Sequence, residues 1–289
     1  MKVRKAVIPA AGLGTRMLPA TKAIPKEMLS LVNKPAIQYI VEEAVASGIE
    51  DILIITNRDK GSMEDHFDYY PALEESLKRG RKDVELEQIV HPADLANIHF
   101  IRQKETKGLG HAVGRAMAFA GNEPVAVLLG DDIMVADKPV TRQLIEAAEK
   151  YNASAVGVQH VSSDRISAYS SVKVEQLEAK VYRVTDTNEK PKPNEAYSNF
   201  AILGRYVLQP EIFDILSRTA PGYGGEIQLT DALNVLCKVS PMVAVDFDGR
   251  RYDTGNLAGF LEATIDFALE NKEVGVWLKE FIKEKAKTL

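Results

Sequence analysis

Pro9-Ala10-Ala11-Gly12-Leu13-Gly14-Thr15-Arg16 follows directly on an apolar run, Val3 to Pro9, that reads as a β-strand. Small residues at its centre let the backbone approach a ligand closely, and consecutive N–H groups can form a nest for an anion. Three readings compete. The first is a tight strand-to-helix turn with no ligand. The second is a dinucleotide fingerprint, G-x-G-x-x-G. Gly12 and Gly14 fit its first two positions, but Met17 stands at the third. The next strand ends in Asn57 and Arg58, not in an acidic residue that would hold a ribose. A Walker A loop fails because no G-K-[ST] follows. The third reading is a nucleoside-triphosphate loop with its own cation, Arg16. Lys22 and Lys26 follow within ten residues of it. Pro19 and Pro25 argue against a helix there, so the segment is expected to be an ordered loop over the site.

Outward from this loop, short apolar runs alternate with helical patterns. In Pro35 to Ser47, Ile37, Ile40, Val41, Ala44 and Val45 recur at helical spacing, and Gly48 stops the helix. Ile52–Thr56, His99–Arg102, Pro124–Leu129 and Ala155–Val161 read as strands; His111–Phe119 and Val140–Tyr151 read as helices. The expectation is an α/β fold, Rossmann-like, with a largely parallel central sheet flanked by helices. After residue 161 the character changes. Val172–Val174 and Val181–Thr185 suggest a small antiparallel part, and Asn199–Gly204 another buried strand. Glu226–Cys237 and Leu257–Leu269 read as helices. Lys272–Lys287 is an amphipathic tail with Trp277, Leu278, Phe281 and Ile282 on one stripe. The polar stretch Lys78–Glu87 reads as an exposed helix end and loop.

The bulk numbers narrow the field. The 289 residues carry 36 Lys and Arg against 41 Asp and Glu, a net charge of −5, which suits a protein that does not wrap nucleic acid. Any phosphate must be met by a few placed cations. The five histidines show no paired zinc spacing, and the single Cys237 cannot form an internal disulfide. No apolar run approaches the roughly 18–20 residues of a membrane span. The run Ala6 to Ala11 is too short for a signal-peptide core, so a cytoplasmic location is expected.

The stretch A-A-G-L-G-T-R-M-L-P-A-T-K-A-I-P-K-E-M-L closely resembles the signature of the sugar-1-phosphate nucleotidyltransferases, in particular the bacterial UTP–glucose-1-phosphate uridylyltransferases. Other stretches follow in family order. They include Glu64-Asp65-His66-Phe67-Asp68, Arg102-Gln103-Lys104-Glu105 and Lys107-Gly108-Leu109-Gly110-His111. Leu128-Leu129-Gly130-Asp131-Asp132, Glu189-Lys190-Pro191 and Gly225-Glu226-Ile227-Gln228-Leu229-Thr230-Asp231 continue the series. The resemblance implies transfer of the uridylyl group of UTP to glucose 1-phosphate. UTP carries about −4 and the sugar phosphate about −2. Each unit pair of like charges at ~5 Å repels by about 0.8 kcal/mol even in water. Mg²⁺ and several cations are therefore expected, with no side-chain nucleophile.

By the same resemblance, residues 1–160 hold the nucleotide, 161–255 the sugar phosphate, and 256–289 form C-terminal helices, all in one domain. Ala11, Gly12, Gln103 and Gly108 are implied around uracil, with Gly14, Thr15, Glu27 and Asp132 also on the nucleotide side. Arg16 and Lys26 would meet the leaving phosphates. Asp131 and Asp253 would bind Mg²⁺. Lys190 would grip the sugar phosphate, and Glu189 and Glu226 would meet sugar hydroxyls. His111 would cap or pack a helix start. The Trp277–Phe281 stripe is core packing or a contact in a homodimer. Two positions depart from the family: Ser30 replaces a usual proline, and Ser170 stands where relatives carry a glycine beside the sugar, so its side chain is expected to crowd that sugar. A non-catalytic nucleotide-sugar-binding paralogue is the alternative class, and a related sugar 1-phosphate or dTTP the alternative substrate.

Overall fold

A computed structural model of the chain describes residues 2–288; Met1 and Leu289 lie outside the described residues. Strand β1 is Lys5–Pro9. Helix α1, Ala36–Ala46, starts after Pro35, whose fixed φ suits a helix entry, and ends before Gly48 at φ 90°. Strands β2 (Asp51–Thr56), β3 (Asn97–Arg102) and β4 (Val125–Leu128) follow. Short helix α2 is Leu109–Gly114, and a further turn, Met117–Ala120, covers the rest of the helix expected there. Next come β5 (Asp132–Val135), α3 (Val140–Tyr151) and β6 (Ser154–His160). The hairpin β7 (Ser170–Glu178) and β8 (Val181–Glu189) is longer than its apolar residues suggested. Then β9 (Phe200–Leu208), α4 (Leu229–Val239), β10 (Met242–Asp246) and β11 (Arg250–Asp253) lead to α5 (Leu257–Glu270) and α6 (Gly275–Ala286). The polar stretch around residue 80 is the turn between two helices, Pro71–Arg79 and Asp83–Asp94.

Nine strands form one sheet in the order β3-β2-β1-β4-β9-β6-β10-β8-β7, and β5 pairs with β11 in a small ribbon. The sheet is mixed, which corrects the expectation of a largely parallel one. Pairs among β1 to β4, and β6 with β10, run parallel. In contrast, β9 runs antiparallel to β4, β6 and β7, and β8 antiparallel to β7 and β10. The reason the sequence hid this is physical. All nine positions of β9 are buried, and apart from Gly204 and Arg205 they are apolar, so it reads as a central strand. Burial on both faces fixes that pattern whatever the direction of the neighbours.

Alternate residues feed two cores. In β1, Ala6 and Ile8 pack on one face with Ile37, Ile40 and Ile54; Val7 packs on the other with Val127, Leu208 and Leu233. The parallel half brings the ends of β1, β2 and β4 to one edge of the sheet, where loops can meet a ligand. Trp277 and Phe281 stack at 5.3 Å between ring centroids and are both exposed, so they lie outside the core. No helix among the described residues is long and apolar enough to cross a membrane.

Candidate active site

The glycine loop leaves the end of β1 already braced. Lys60 Nζ donates to the Ala10 carbonyl at 2.5 Å, and Asn57 Nδ2 donates to the Ala11 carbonyl at 2.8 Å. Gly14 is left-handed at φ 67°, and its carbonyl accepts from the Thr21 hydroxyl at 2.8 Å. A Cβ built on Gly12 would meet no protein atom within 4 Å, so open space lies over that backbone. The following segment is an ordered loop of three single 3₁₀ turns, as two prolines in ten residues require.

This loop forms part of a cleft of about 380 Å³. Ala11, Gly12 and Arg16 line it from the glycine loop, and Lys26, Glu27 and Asp131 from the segments beside it. Gln103, Gly108 and Glu226 are also part of the lining. Gly14 and the exposed Thr15 are not part of that lining. Lys26 Nζ sits 2.6 Å from Asp131 Oδ2. Burial alone would push the Asp131 carboxyl up, but Lys26 beside it holds it below the ordinary carboxylate range. Glu27 and Lys60 form a buried pair at 2.7 Å, and burial raises the Glu27 pKa and lowers that of Lys60. The second Glu27 oxygen, Oε1, is buried and has no partner among the described residues.

Asp131 and Asp253 come from distant parts of the chain. The ribbon of β5 with β11 sets Asp253 opposite Asp132, and Thr254 donates to the Asp131 carbonyl through its N–H and hydroxyl at 2.8 and 2.9 Å. A Cβ built on Gly255 would fall 2.7 Å from Asp131 Oδ2 and 3.1 Å from Asp253 Oδ1. Both carboxylates therefore converge on one point. Asp132, expected on the nucleotide side, closes the turn that carries Asp131 and does not line the cleft. Its carboxylate is buried against Arg251 Nε and Nη2 at 2.7 and 2.6 Å. Burial, opposed by Arg251 and aided by the Asp131 charge, pushes its pKa up to about 6. Room for it exists because Gly204 in β9 is left-handed at φ 62°; a Cβ there would fall 2.4 Å from Asp132 Oδ2. The Asp132 carbonyl accepts from the buried Arg205 at 2.8 Å, and Arg205 pairs with the buried Glu43 at 2.6 Å. Such a network fixes geometry more surely than it adds stability.

On the far side of the cleft, Glu226 belongs to an extended segment that delays the start of α4 to Leu229. Ile227 N–H donates to the Lys107 carbonyl at 2.8 Å, and Gly110 N–H donates to the Ile227 carbonyl at 2.9 Å. The expected nucleotide and sugar segments thus share a seam. Beyond it, Ser170 Oγ, Glu189 Oε2 and Thr230 Oγ1 lie within 2.5–2.7 Å of one another. Lys190, left-handed at φ 43°, places Nζ 4.0 Å from Glu189 Oε1 and 5.1 Å from the Tyr223 ring centroid.

The nucleotidyl transferase family model matches residues 5–269. The chain belongs to the nucleotidyl transferase family. This nucleotidyl transferase is 52% identical over 282 residues to a UTP–glucose-1-phosphate uridylyltransferase of Bacillus subtilis, covering 98% of this chain and 97% of that one. Among solved structures it is similar to a UDP-glucose pyrophosphorylase complexed with UDP-glucose, at 43% identity and TM-score 0.85 over 93% of this chain and 100% of that one. It is also similar to the UTP-bound enzyme of Acinetobacter baumannii, at 36% identity and TM-score 0.91 over 98% of this chain and 99% of that one.

Within this nucleotidyl transferase, four site-forming residues escaped the sequence reading: Lys60, Thr230, Arg251 and Thr254. Each acts through a partner far away in sequence, which periodicity cannot register. Ser170 carries a contact that its sequence did not announce. Its backbone is not left-handed, and its hydroxyl is held by Glu189 and Thr230. Ser170→Ala is therefore expected to raise KM for the sugar substrate roughly five- to thirtyfold, the worth of about 1–2 kcal/mol for a hydrogen bond to a carboxylate. KM for the nucleotide should stay unchanged. Unaltered sugar kinetics would show that Ser170 does not support Glu189.

Proposed function

We infer that this chain transfers the uridylyl group of UTP to glucose 1-phosphate, giving UDP-glucose and pyrophosphate. The observation that carries the reading is the gathering of Arg16, Lys26 and Asp131 around one cleft with Gln103, Gly108 and Glu226. Cations, an acidic group and an amide in that arrangement suit a nucleoside triphosphate. The full-length likeness to uridylyltransferases supports the choice of substrates.

A phosphate oxygen of glucose 1-phosphate attacks the α-phosphorus of UTP. A new P–O bond forms as the bond to the bridging oxygen breaks, and the electron pair leaves on pyrophosphate. We assign Arg16 and Lys26 to the departing phosphates, where negative charge grows in the transition state. Lys190 holds the sugar phosphate, and Glu189, braced by Ser170 and Thr230, meets sugar hydroxyls. Gln103 and Gly108 face the base, with Ala11 and Gly12 as its backbone floor. Asp131 and Asp253 would hold Mg²⁺, and their convergence at Gly255 fits a hard cation. Among the described residues there is no cluster of three metal-binding side chains. Two carboxylates are what Mg²⁺ takes when substrate phosphates and water fill its remaining positions. When bound it would offset charge across the reacting phosphates.

The test is pyrophosphate release across a matrix of nucleoside triphosphates and sugar 1-phosphates. UTP with glucose 1-phosphate should give the highest kcat/KM, and excess chelator should abolish it. A best pair lacking UTP or glucose 1-phosphate would refute the substrate assignment; release that survives chelation would refute the metal. We also propose that the exposed Trp277–Phe281 stripe packs against a second copy of the chain, which a monomeric mass in sedimentation would refute.

A further inference from the structure

Gln103 follows β3, and its backbone N–H donates to the Thr56 carbonyl at 2.8 Å, so its Cα is fixed. Its side-chain Nε2 lies 3.3 Å from the Gly108 carbonyl oxygen and 2.8 Å from Nδ1 of His111 in the first turn of α2. A carbonyl can only accept, so the nitrogen of this amide, not its oxygen, must face Gly108. An imidazole nitrogen accepts only when it carries no proton. Burial, with Lys107 and Arg115 adding to it and Glu105 opposing, lowers the His111 pKa and favours that neutral form. With Nε2 anchored on two acceptors, Oε1 is turned away from them. Gln103 lines the cleft, and its Oε1 accepts no hydrogen bond from any described residue.

We propose that His111 is a positioning residue: it fixes the Gln103 amide so that the cleft selects a pyrimidine bearing hydrogen on N3 over one whose N3 is bare. The inference rests on the UTP reading. Uracil presents N3–H between two carbonyl oxygens, and a fixed amide oxygen accepts from it. Cytosine presents a lone pair at N3, which meets the same oxygen as acceptor against acceptor. The shorter of the two anchors on the amide is the one to His111. Without it the amide is held only by the longer contact to Gly108 and is free to rotate half a turn. The NH₂ group would then face the base and suit cytosine. A side chain that does not touch the base would in this way set the discrimination of one that does.

The experiment measures kcat/KM for UTP and CTP, with saturating glucose 1-phosphate, in wild type, His111→Ala, His111→Phe and His111→Asn. His111→Ala should lower the UTP-to-CTP ratio by about ten- to a hundredfold, the range for a buried group left with the wrong partner. The change should come from KM for the nucleotide, with KM for glucose 1-phosphate unmoved. His111→Phe keeps a ring in place without the acceptor, and should shift the ratio equally, so the test survives if the alanine variant does not fold. His111→Asn can offer a side-chain oxygen near the position of Nδ1 and should recover most of the ratio. A UTP-to-CTP ratio unchanged in both His111→Ala and His111→Phe would overturn the proposal, even if overall activity fell. Wild-type protein inactive with UTP would instead overturn the function on which it rests.

Discussion

Asp131→Asn is expected to lower kcat by about a thousandfold or more while the protein stays folded. The amide keeps the shape of the carboxylate and loses its charge. That charge now pairs with Lys26 at 2.6 Å and converges with Asp253 beside Gly255. In the proposed reaction it would also hold the cation that offsets phosphate repulsion. The loss should fall on kcat and on kcat/KM together, the sign of an interaction realised in the transition state. Folding should be little affected. The Lys26–Asp131 pair is only partly buried, and the isosteric amide can still accept from Lys26, so the loss of stability should be small beside the loss of kcat. Thermal unfolding measured beside the kinetics separates the two effects. A folded variant with near-normal kcat would move the metal ligand to another residue.

Gly108→Ala is the second large effect. Gly108 sits at φ 100° and ψ 174°, a conformation almost reserved for glycine. A Cβ there would fall 2.7 Å from both the Glu226 Cβ and the Ile227 carbonyl oxygen. The first is bonded directly to the Glu226 Cα and the second is backbone itself, so neither can swing aside. The loop must withdraw from the seam, taking the Gly108 carbonyl away from Gln103. Strain and lost contacts together should cost about 1–3 kcal/mol of stability. Because the seam joins the segments proposed to hold the nucleotide and the sugar, KM should rise for UTP and for glucose 1-phosphate, each by roughly tenfold or more. A defect confined to one substrate would show that the seam does not couple them.

The contrast between these two residues marks how far the sequence could be read. The glycine loop was legible because small residues after a strand, followed by cations, state a local chemistry. Helix α3 was legible to its ends because one apolar stripe fixes the whole of it. The direction of β9 was not, since burial on both faces erases the alternation that could have distinguished it. The ribbon of β5 with β11 was also hidden. Each strand has four residues, and the pairing spans more than a hundred positions. For the site, Arg16 and Lys26 stood out as cations flanking a glycine loop, while Gln103 and Asp131 were implied by the family resemblance, and all four line the cleft. Asp132 was implied in the same way, but its orientation depends on the turn it closes and on a glycine in another strand. Ser170 could be flagged as unusual; that its hydroxyl would reach Glu189 and Thr230 could not be.

Strand β9 has a consequence for how the chain comes together as it is made. It fills the slot between β4 and β6, both of which are synthesised well before it. Until Phe200–Leu208 arrives, each of those strands presents an unpaired edge toward the gap, a state in which chains are prone to wrong pairings. The contacts that close it are long in sequence, so their loop entropy must be met before any ladder bond forms. The same strand brings Gly204, whose missing side chain admits Asp132, and Arg205, which holds the Asp132 carbonyl. The turn carrying Asp131 therefore cannot take its final shape in a nascent chain that has grown only through the glycine loop and the first sheet half. In the growing polypeptide, the site waits on the middle of the sheet, filled late by a strand that lines no part of the cleft, and then on Glu226 and the Asp253–Gly255 segment.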